Sequence, residues 1–315
     1  MHRVVFLDRA TLDAHIPSPG FPHEWKEFGC TAPGEVRARL AGATMAVVNK
    51  VRLDAETLAA LPDLRLVVVA ATGTDNVDLE ACRALGIRVS NVRGYAADSV
   101  AEHVVACVLA LRRNLFGYRK ALLGGAWQRS ESFAAHLFPI EEVGGATLAI
   151  YGHGAIGQAT ARRAEALGMQ VILPERKGAC TTRPGRVPFE EAVARCDVLS
   201  LHCPLDATSA GLVDADVLDL LGPSGVLVNT ARGGLVDHAA LLAALSAGRI
   251  GGAALDVLPH EPPVDGHALL ERELPNLIIT PHVAWASQRA QHTLARRVIE
   301  RLEAFAAGTL TDSLV

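Results

Sequence analysis

Three polar side chains stand just beyond short apolar runs near the C-terminal end of this sequence. They are Arg232, after Gly225-Val-Leu-Val-Asn-Thr-Ala, Glu261, shortly after Gly252-Ala-Ala-Leu-Asp256, and His282, after Leu277-Ile-Ile-Thr-Pro. If each run is a strand of an open parallel sheet, ligands bind outside the carboxyl ends of those strands. Arg232, Asp256, Glu261 and His282 are then expected to converge on one crevice. A guanidinium is a planar fork that makes two parallel hydrogen bonds to a carboxylate. An imidazole beside a carboxylate is stabilised in its protonated form and becomes a proton donor. The chemistry of the set is anchoring an acid and protonating a carbonyl oxygen.

A second group lies upstream. Thr147-Leu-Ala-Ile-Tyr151 runs into Gly152-His153-Gly154-Ala155-Ile156-Gly157 and then into an Ala-rich stretch of helical character. A GxGxxG pattern alone is weak evidence, but after a strand and at the start of a helix it is a pyrophosphate turn. Gly152 permits the tight turn, Gly154 lets the backbone approach the phosphates, and Gly157 lets helix pack on strand. The helix N-terminus offers unpaired N–H groups and the positive end of its dipole. Eighteen residues past Gly157 comes Glu175, placed to accept hydrogen bonds from an adenosine ribose and to repel a 2′-phosphate. That favours NAD over NADP, while the neighbouring Arg176 and Lys177 keep NADP open.

These groups need a scaffold. The chain alternates short β-branched runs with helical stretches, and most of the runs are continuously apolar. Such strands belong to parallel sheets covered on both faces, and two α/β domains follow. Helices are expected at Asp78–Leu85, Ser99–Leu115 (with Ser99 as N-cap), Ile156–Leu167, Phe189–Arg195, Asp237–Ala247 and Ser287–Phe305. The last helix is expected to cross back to the first sheet. The division is therefore 1–98 with 286–315 as a discontinuous substrate-binding domain, and 99–285 as a nucleotide-binding domain inserted into it.

Composition narrows the partners. Of 315 residues, 50% are hydrophobic and 20% charged, enough apolar surface for a folded chain. Lys+Arg 30 against Asp+Glu 34 gives −4, with no basic excess to hold nucleic acid. No apolar run reaches the ~18 residues of a membrane span. Six cysteines without metal-ligand spacing read as reduced core thiols in a cytoplasmic protein. No metal site is expected.

Taken together, the motifs resemble the D-isomer specific 2-hydroxyacid dehydrogenases, in the glycerate dehydrogenase (hydroxypyruvate reductase) branch. The resemblance rests on Asn49-Lys-Val51, Ala71-Thr-Gly-Thr-Asp-Asn76, Ser99-Val-Ala-Glu-His103, the glycine turn, and Leu201-His-Cys-Pro-Leu205. It continues through Thr230-Ala-Arg-Gly-Gly234, Asp256-Val257, Glu261-Pro-Pro263 and Pro281-His-Val-Ala-Trp285. It implies a Rossmann-type doubly wound parallel sheet domain inserted into a smaller flavodoxin-like α/β substrate domain. It also implies hydride transfer between NAD(H) and a small D-2-hydroxy acid or 2-keto acid: hydroxypyruvate/D-glycerate or glyoxylate/glycolate.

By the same resemblance, His282 is the acid/base, Glu261 orients it and keeps it protonated, and Arg232 binds the keto acid. Thr72, Gly73 and Thr74 hold the substrate carboxylate, with Lys50 and Trp285 as further substrate contacts. Asp256 faces the nicotinamide carboxamide and Cys203 and Pro204 line the adenine side. His202, Thr230 and Ala231 complete the cofactor set with His153, Ala155 and Ile156. The family's formate dehydrogenases carry Gln in place of Glu, so Glu261 argues against that activity. A homodimer is implied, with Trp127–Phe138 as the pairing segment. The alternatives are an NAD(H)-sensing binding protein of the same fold, or a dehydrogenase for another 2-keto acid or phosphite.

Overall fold

The computed structural model describes residues 1–315, which divide into two compact units: 1–96 with 286–315, and 97–285. The first unit contains β1 (His2–Phe6), β2 (His23–Glu27), α1 (Val36–Leu40), β3 (Met45–Val48), α2 (Ala55–Ala59), β4 (Leu66–Val69), α3 (Leu79–Leu85) and β5 (Arg88–Asn91). The second runs through α4 (Ala97–Arg112), α5 (Leu115–Leu123), β6 (Thr147–Tyr151), α6 (Ala155–Ala166), β7 (Gln170–Ile172), α7 (Phe189–Arg195) and β8 (Val198–Leu201). It continues with α8 (Ala215–Leu221), β9 (Val226–Asn229), α9 (His238–Ser246), β10 (Gly252–Leu255) and β11 (Leu277–Ile279), after which α10 (Gln288–Ala306) returns to the first unit.

Both sheets are parallel throughout. The first has the order β2-β1-β3-β4-β5, the flavodoxin-like arrangement. Its Met45-Ala-Val-Val48 and Leu66-Val-Val-Val69 strands are buried on both faces, as strands sandwiched between helix layers must be. The second has the order β11-β10-β9-β8-β6-β7, a Rossmann-type sheet whose outermost strand beyond β7 is reduced to one bridge, Pro174 to Val187. Val187 N donates to Leu173 O (2.9 Å) and Val187 O accepts from Glu175 N (2.7 Å), and the chain between them forms a loop over 176–186.

Helix starts are fixed by local chemistry. Asp54, Asp78, Asp214 and Asp237 each accept from backbone N–H groups of the first turn of α2, α3, α8 and α9, and Ser287 does so for α10. The expected single helix over Ser99–Leu115 is instead two. It begins at Ala97, so Ser99 lies inside the first turn and its hydroxyl donates to Ala284 O (2.7 Å). It ends at Arg112 because Asn114 adopts a left-handed φ of 51°, and α5 starts afresh. No helix is long and apolar enough to cross a membrane.

Candidate active site

The turn that carries His282 is built on Asp256, which is 2% exposed at the end of β10. Its Oδ1 accepts from Thr280 Oγ1 (2.5 Å) and Val283 N (2.9 Å), its Oδ2 from Ala284 N (2.9 Å), and its backbone oxygen from His282 N (2.8 Å). Those bonds hold His282 at a left-handed φ of 55°, which costs a non-glycine residue on the order of 1–2 kcal/mol. His103 Nε2 lies 3.2 Å from Thr280 Oγ1. Since that hydroxyl donates to Asp256, the imidazole must donate to it, so His103 acts as a structural member of the turn. Asp256 Oδ2 retains one acceptor position beyond Ala284 N.

His282 Nδ1 then lies 2.6 Å from Glu261 Oε2, and Glu261 Oε1 accepts from Leu258 N (2.8 Å). An ionised carboxylate only accepts, so the proton of this pair sits on Nδ1 and Nε2 is left for chemistry. The side chains are 24% and 31% exposed, partly shielded from competing water. They border a cavity of about 320 Å³ otherwise lined by Leu258, Pro262, Pro263, Leu270, Ile279 and Pro281, with Asp256 and Thr280 at its polar side.

Arg232 follows β9 in a turn held by Asn229, whose Nδ2 donates to Arg232 O (2.8 Å) and whose Oδ1 accepts from Ala231 N (3.0 Å). The next residue, Gly233, fixes this turn against the one leading to Glu261. A Cβ there would lie 2.1 Å from Leu258 C and 2.3 Å from Pro259 N, so only glycine permits the approach. Thr230 Oγ1 is buried without a hydrogen-bond partner, the condition of a group awaiting a ligand.

The nucleotide turn opens α6 at Gly154. Gly152 has φ 101°, and a Cβ on it would stand 2.5 Å from His202 C; one on Gly157 would stand 2.2 Å from Gly152 O. A Cβ on Gly154 meets nothing within 4 Å. The two outer glycines are therefore consumed by close backbone packing, while the middle one faces open space of the kind a pyrophosphate needs. His153 Nδ1 is a further buried, unpartnered atom beside this turn. The residues present fit a dinucleotide. His202 N donates to Tyr151 O (2.7 Å), its ring Nε2 is tied to Ser200 Oγ (2.9 Å), and burial pushes its pKa down to about 4, so it is neutral. Cys203 and Pro204 line a cavity of about 480 Å³ next to the turn, and burial pushes the Cys203 thiol up to about 11.

Glu175 requires a correction. It is 3% exposed and absent from the lining of that cavity. Its carboxylate is spent on Arg183, with Nε donating at 2.8 Å and Nη2 also bonded, and on the backbone N–H groups of Arg176 (2.8 Å) and Arg183 (3.1 Å). The Arg183 guanidinium holds it well below the usual carboxylate range. Successive residues of an extended chain face opposite ways, and here Pro174, one residue earlier, is the residue that lines the cavity. The carboxylate placed by spacing for a ribose is thus already paired by Arg183 and two backbone N–H groups.

In the first unit, the Asn49–Val51 loop hangs on Asp8, a residue the sequence reading passed over. The Asp8 carboxylate, 5% exposed, accepts from Asn49 N (2.8 Å), Lys50 N (2.6 Å) and Val51 N (3.1 Å). Its signal was an acid directly after an apolar strand. Thr72 Oγ1 donates to Val92 O (3.1 Å) and Thr72 O accepts from Asn91 Nδ2 (2.6 Å), which pins the turn through Gly73 and Thr74 at the end of β4. Trp285 is half-buried at the close of the His282 segment.

A glycine-turn nucleotide cradle and a His–Glu pair stand at the carboxyl ends of one parallel sheet, the arrangement of a nucleotide-dependent oxidoreductase. The family model described as D-isomer specific 2-hydroxyacid dehydrogenase, NAD binding domain, matches residues 105–284. A glycerate dehydrogenase of Methylorubrum extorquens is 48% identical over 307 residues, 97% of this chain and 96% of that one. Among solved structures, an acyclic imino acid reductase in complex with NADPH and D-Arg superposes with a TM-score of 0.86 at 26% identity, covering 99% of this chain and 100% of the other. An NADPH-dependent glyoxylate/hydroxypyruvate reductase of Sinorhizobium meliloti gives 0.80 at 30% identity, covering 100% and 98%. The chain belongs to the D-isomer specific 2-hydroxyacid dehydrogenase family, whose members are NAD(P)-dependent oxidoreductases.

Proposed function

We propose that this chain reduces a small 2-keto acid to the D-2-hydroxy acid, with hydroxypyruvate and glyoxylate as the substrates and D-glycerate and glycolate as the products. The observation that carries the reading is the 2.6 Å pair of His282 Nδ1 and Glu261 beside the cavity. The 48% identical glycerate dehydrogenase supports the substrate class.

The nicotinamide ring supplies the hydride when bound. His282 Nε2–H donates to the keto oxygen and gives up its proton as the carbonyl carbon becomes a carbinol. Glu261 keeps the ring in the tautomer that leaves Nε2 outward, and its charge stabilises the imidazolium before transfer. A charge-assisted bond of this kind is about twice as strong as a neutral one. Arg232 anchors the 2-keto acid through its fork, and Thr72, Gly73, Thr74, Lys50 and Trp285 are substrate contacts in this proposal. Thr230, Ala231 and Asp256 Oδ2 serve the nicotinamide half of the cofactor.

We further propose that the chain works as a homodimer in the cytoplasm. Its Trp127–Phe138 stretch exposes Trp127 (56%) and Phe133 (92%), and exposed aromatics at this density suit a pairing surface. The buried Cys82, Cys107 and Cys196 thiols, pushed by burial to about 11 or 12, suit a reducing compartment. The test is a panel of hydroxypyruvate, glyoxylate, pyruvate and a bulky aromatic 2-keto acid against NADH and NADPH, read as loss of reduced-nicotinamide absorbance. Fast turnover with the first two is expected. Turnover confined to the bulky acid, or none despite nucleotide binding, overturns the substrate assignment.

A further inference from the structure

We propose that His238 and His267 are positioning residues for this reaction: the hydrogen bond between their rings is the far anchor of the loop that carries Glu261, and so keeps Glu261 on His282. The inference rests on the dehydrogenase reading above and deepens it by naming the residues that hold Glu261 in place.

Glu261 rides on an arc that leaves the sheet after β10 and is poorly rooted in the core. From Pro259 to Ala268 no residue is buried, and Val264 is 82% exposed. The backbone hydrogen bonds Val264 N to Pro262 O (2.9 Å), Gly266 N to Pro263 O (3.0 Å) and Leu270 N to His267 O (2.8 Å) stay within the arc. They shape it without attaching it to a neighbouring element. A segment with few buried contacts opens locally at little cost, so the place of Glu261 depends on where the arc is fastened. At its near end, the Gly233 backbone packs against Leu258 and Pro259. At its far end, Leu269 enters the core at 1% exposure. There His267 Nε2 also meets His238 Nδ1 at 3.0 Å, with the rings edge to face and their centroids 5.0 Å apart. Gly233 directly follows Arg232, and His238 is the first residue of α9. Both ends of the arc are thus fastened to the short segment that begins at the Arg232 turn.

The bond between the rings has one direction. His267 Nδ1 accepts from Leu269 N (3.2 Å), so its proton sits on Nε2. That N–H donates to His238 Nδ1, and His238 carries its own proton on Nε2. The His238 Nε2 atom is buried without a hydrogen-bond partner, a cost that a side chain kept for packing alone has no reason to bear. Burial, and after it the neighbouring His267, push His238 down to about 4 against the opposing pull of the Gly233 backbone and Asp237. His238 is therefore neutral at neutral pH and remains an acceptor. Apolar side chains could fill the same space, but a hydrogen bond constrains angle as well as distance and so fixes the path of the arc.

The test separates positioning from folding. His238→Leu/His267→Leu removes both partners together, a change close to neutral for stability because no polar group is left unpaired. It is compared with wild type in kcat and KM for hydroxypyruvate, in affinity for reduced dinucleotide, in melting temperature, and in amide hydrogen exchange over residues 258–270. The expected variant keeps its melting temperature and dinucleotide affinity, exchanges faster over 258–270, and loses about 10–100-fold in kcat, up to the cost of a ~1 Å misplacement. In a Glu261→Ala background the same pair of changes should alter kcat by no more than about twofold, because the tie acts through Glu261. Single variants read the same bond: His267→Gln, which keeps an N–H near the Nε2 position, should retain most of kcat, and His267→Met should lose it. Wild-type kcat in the folded double variant, an equal loss in the Glu261→Ala background, or equal kcat in His267→Gln and His267→Met overturns the proposal and leaves the dehydrogenase reading intact. A wild-type protein inert toward every 2-keto acid overturns both.

Discussion

Gly233 is the residue at which packing and catalysis can be separated from chemistry altogether, because it carries no functional group. Replacing it with alanine places a methyl 2.1 Å from Leu258 C, 2.3 Å from Pro259 N and 2.4 Å from Leu258 O. Carbon atoms in contact lie about 3.5–4.0 Å apart, so the Arg232 turn and the Glu261 turn must part by at least about 1 Å. All three atoms are backbone, and no rotamer change relieves them. Misplacement by ~1 Å costs on the order of 10²-fold in rate, and overpacking costs about 1–3 kcal/mol of stability. The expected variant folds with a melting temperature several degrees lower, and its kcat/KM for the keto acid falls about 10²-fold. Binding of adenine nucleotides at the Gly152–Gly157 turn, built on β6, should stay within about twofold, as for independent sites. A folded Gly233→Ala protein with wild-type kcat/KM would refute the view that this contact sets the spacing of Arg232 from the His282–Glu261 pair.

Other consequences follow from buried polar groups. Burial pushes His202 down to about 4, and burial reinforced by the neighbouring His267 does the same to His238. The unfolded chain therefore binds more protons between pH 6.5 and about 4. Stability is full above that window and is lost as pH falls through it, by up to about 1.4 kcal/mol per pH unit for each histidine. Melting curves of His202→Gln should show about half the acid slope of wild type; an unaltered slope would assign it to other groups. Asp256→Ala leaves Val283 N and the buried Ala284 N without their acceptor, a cost of about 1–3 kcal/mol for the buried one. Calorimetry should show that loss together with a fall in kcat, and full activity in this variant would remove Asp256 from the positioning of His282.

How far the sequence alone carries depends on which face of the chain a residue occupies. Thr147–Tyr151 was legible as a strand because its run is apolar after the first residue, and the structure places β6 at those same bounds. β2 was not, since His23-Glu-Trp-Lys-Glu27 is a charged edge strand paired only to β1; edges carry charge to discourage further pairing. The glycine turn and the His282–Glu261 pair were legible because their chemistry requires particular residue types at strand ends. Spacing placed Glu175 for a ribose but did not show that Arg183 and two backbone N–H groups occupy its carboxylate, because spacing along a chain does not report the partners a loop brings in. Asp8 escaped notice because it acts through three backbone N–H groups more than forty residues away in sequence.

The central claim is that His282 delivers the proton while the nucleotide site stands apart from it. Its most direct test is His282→Asn, measured in parallel for turnover with hydroxypyruvate and for affinity toward reduced dinucleotide. The account predicts a fall in kcat of about 10²–10⁴, the usual worth of a general acid, with nucleotide affinity nearly unchanged. A variant that keeps wild-type kcat, or one that loses turnover only because it no longer binds the dinucleotide, would contradict it.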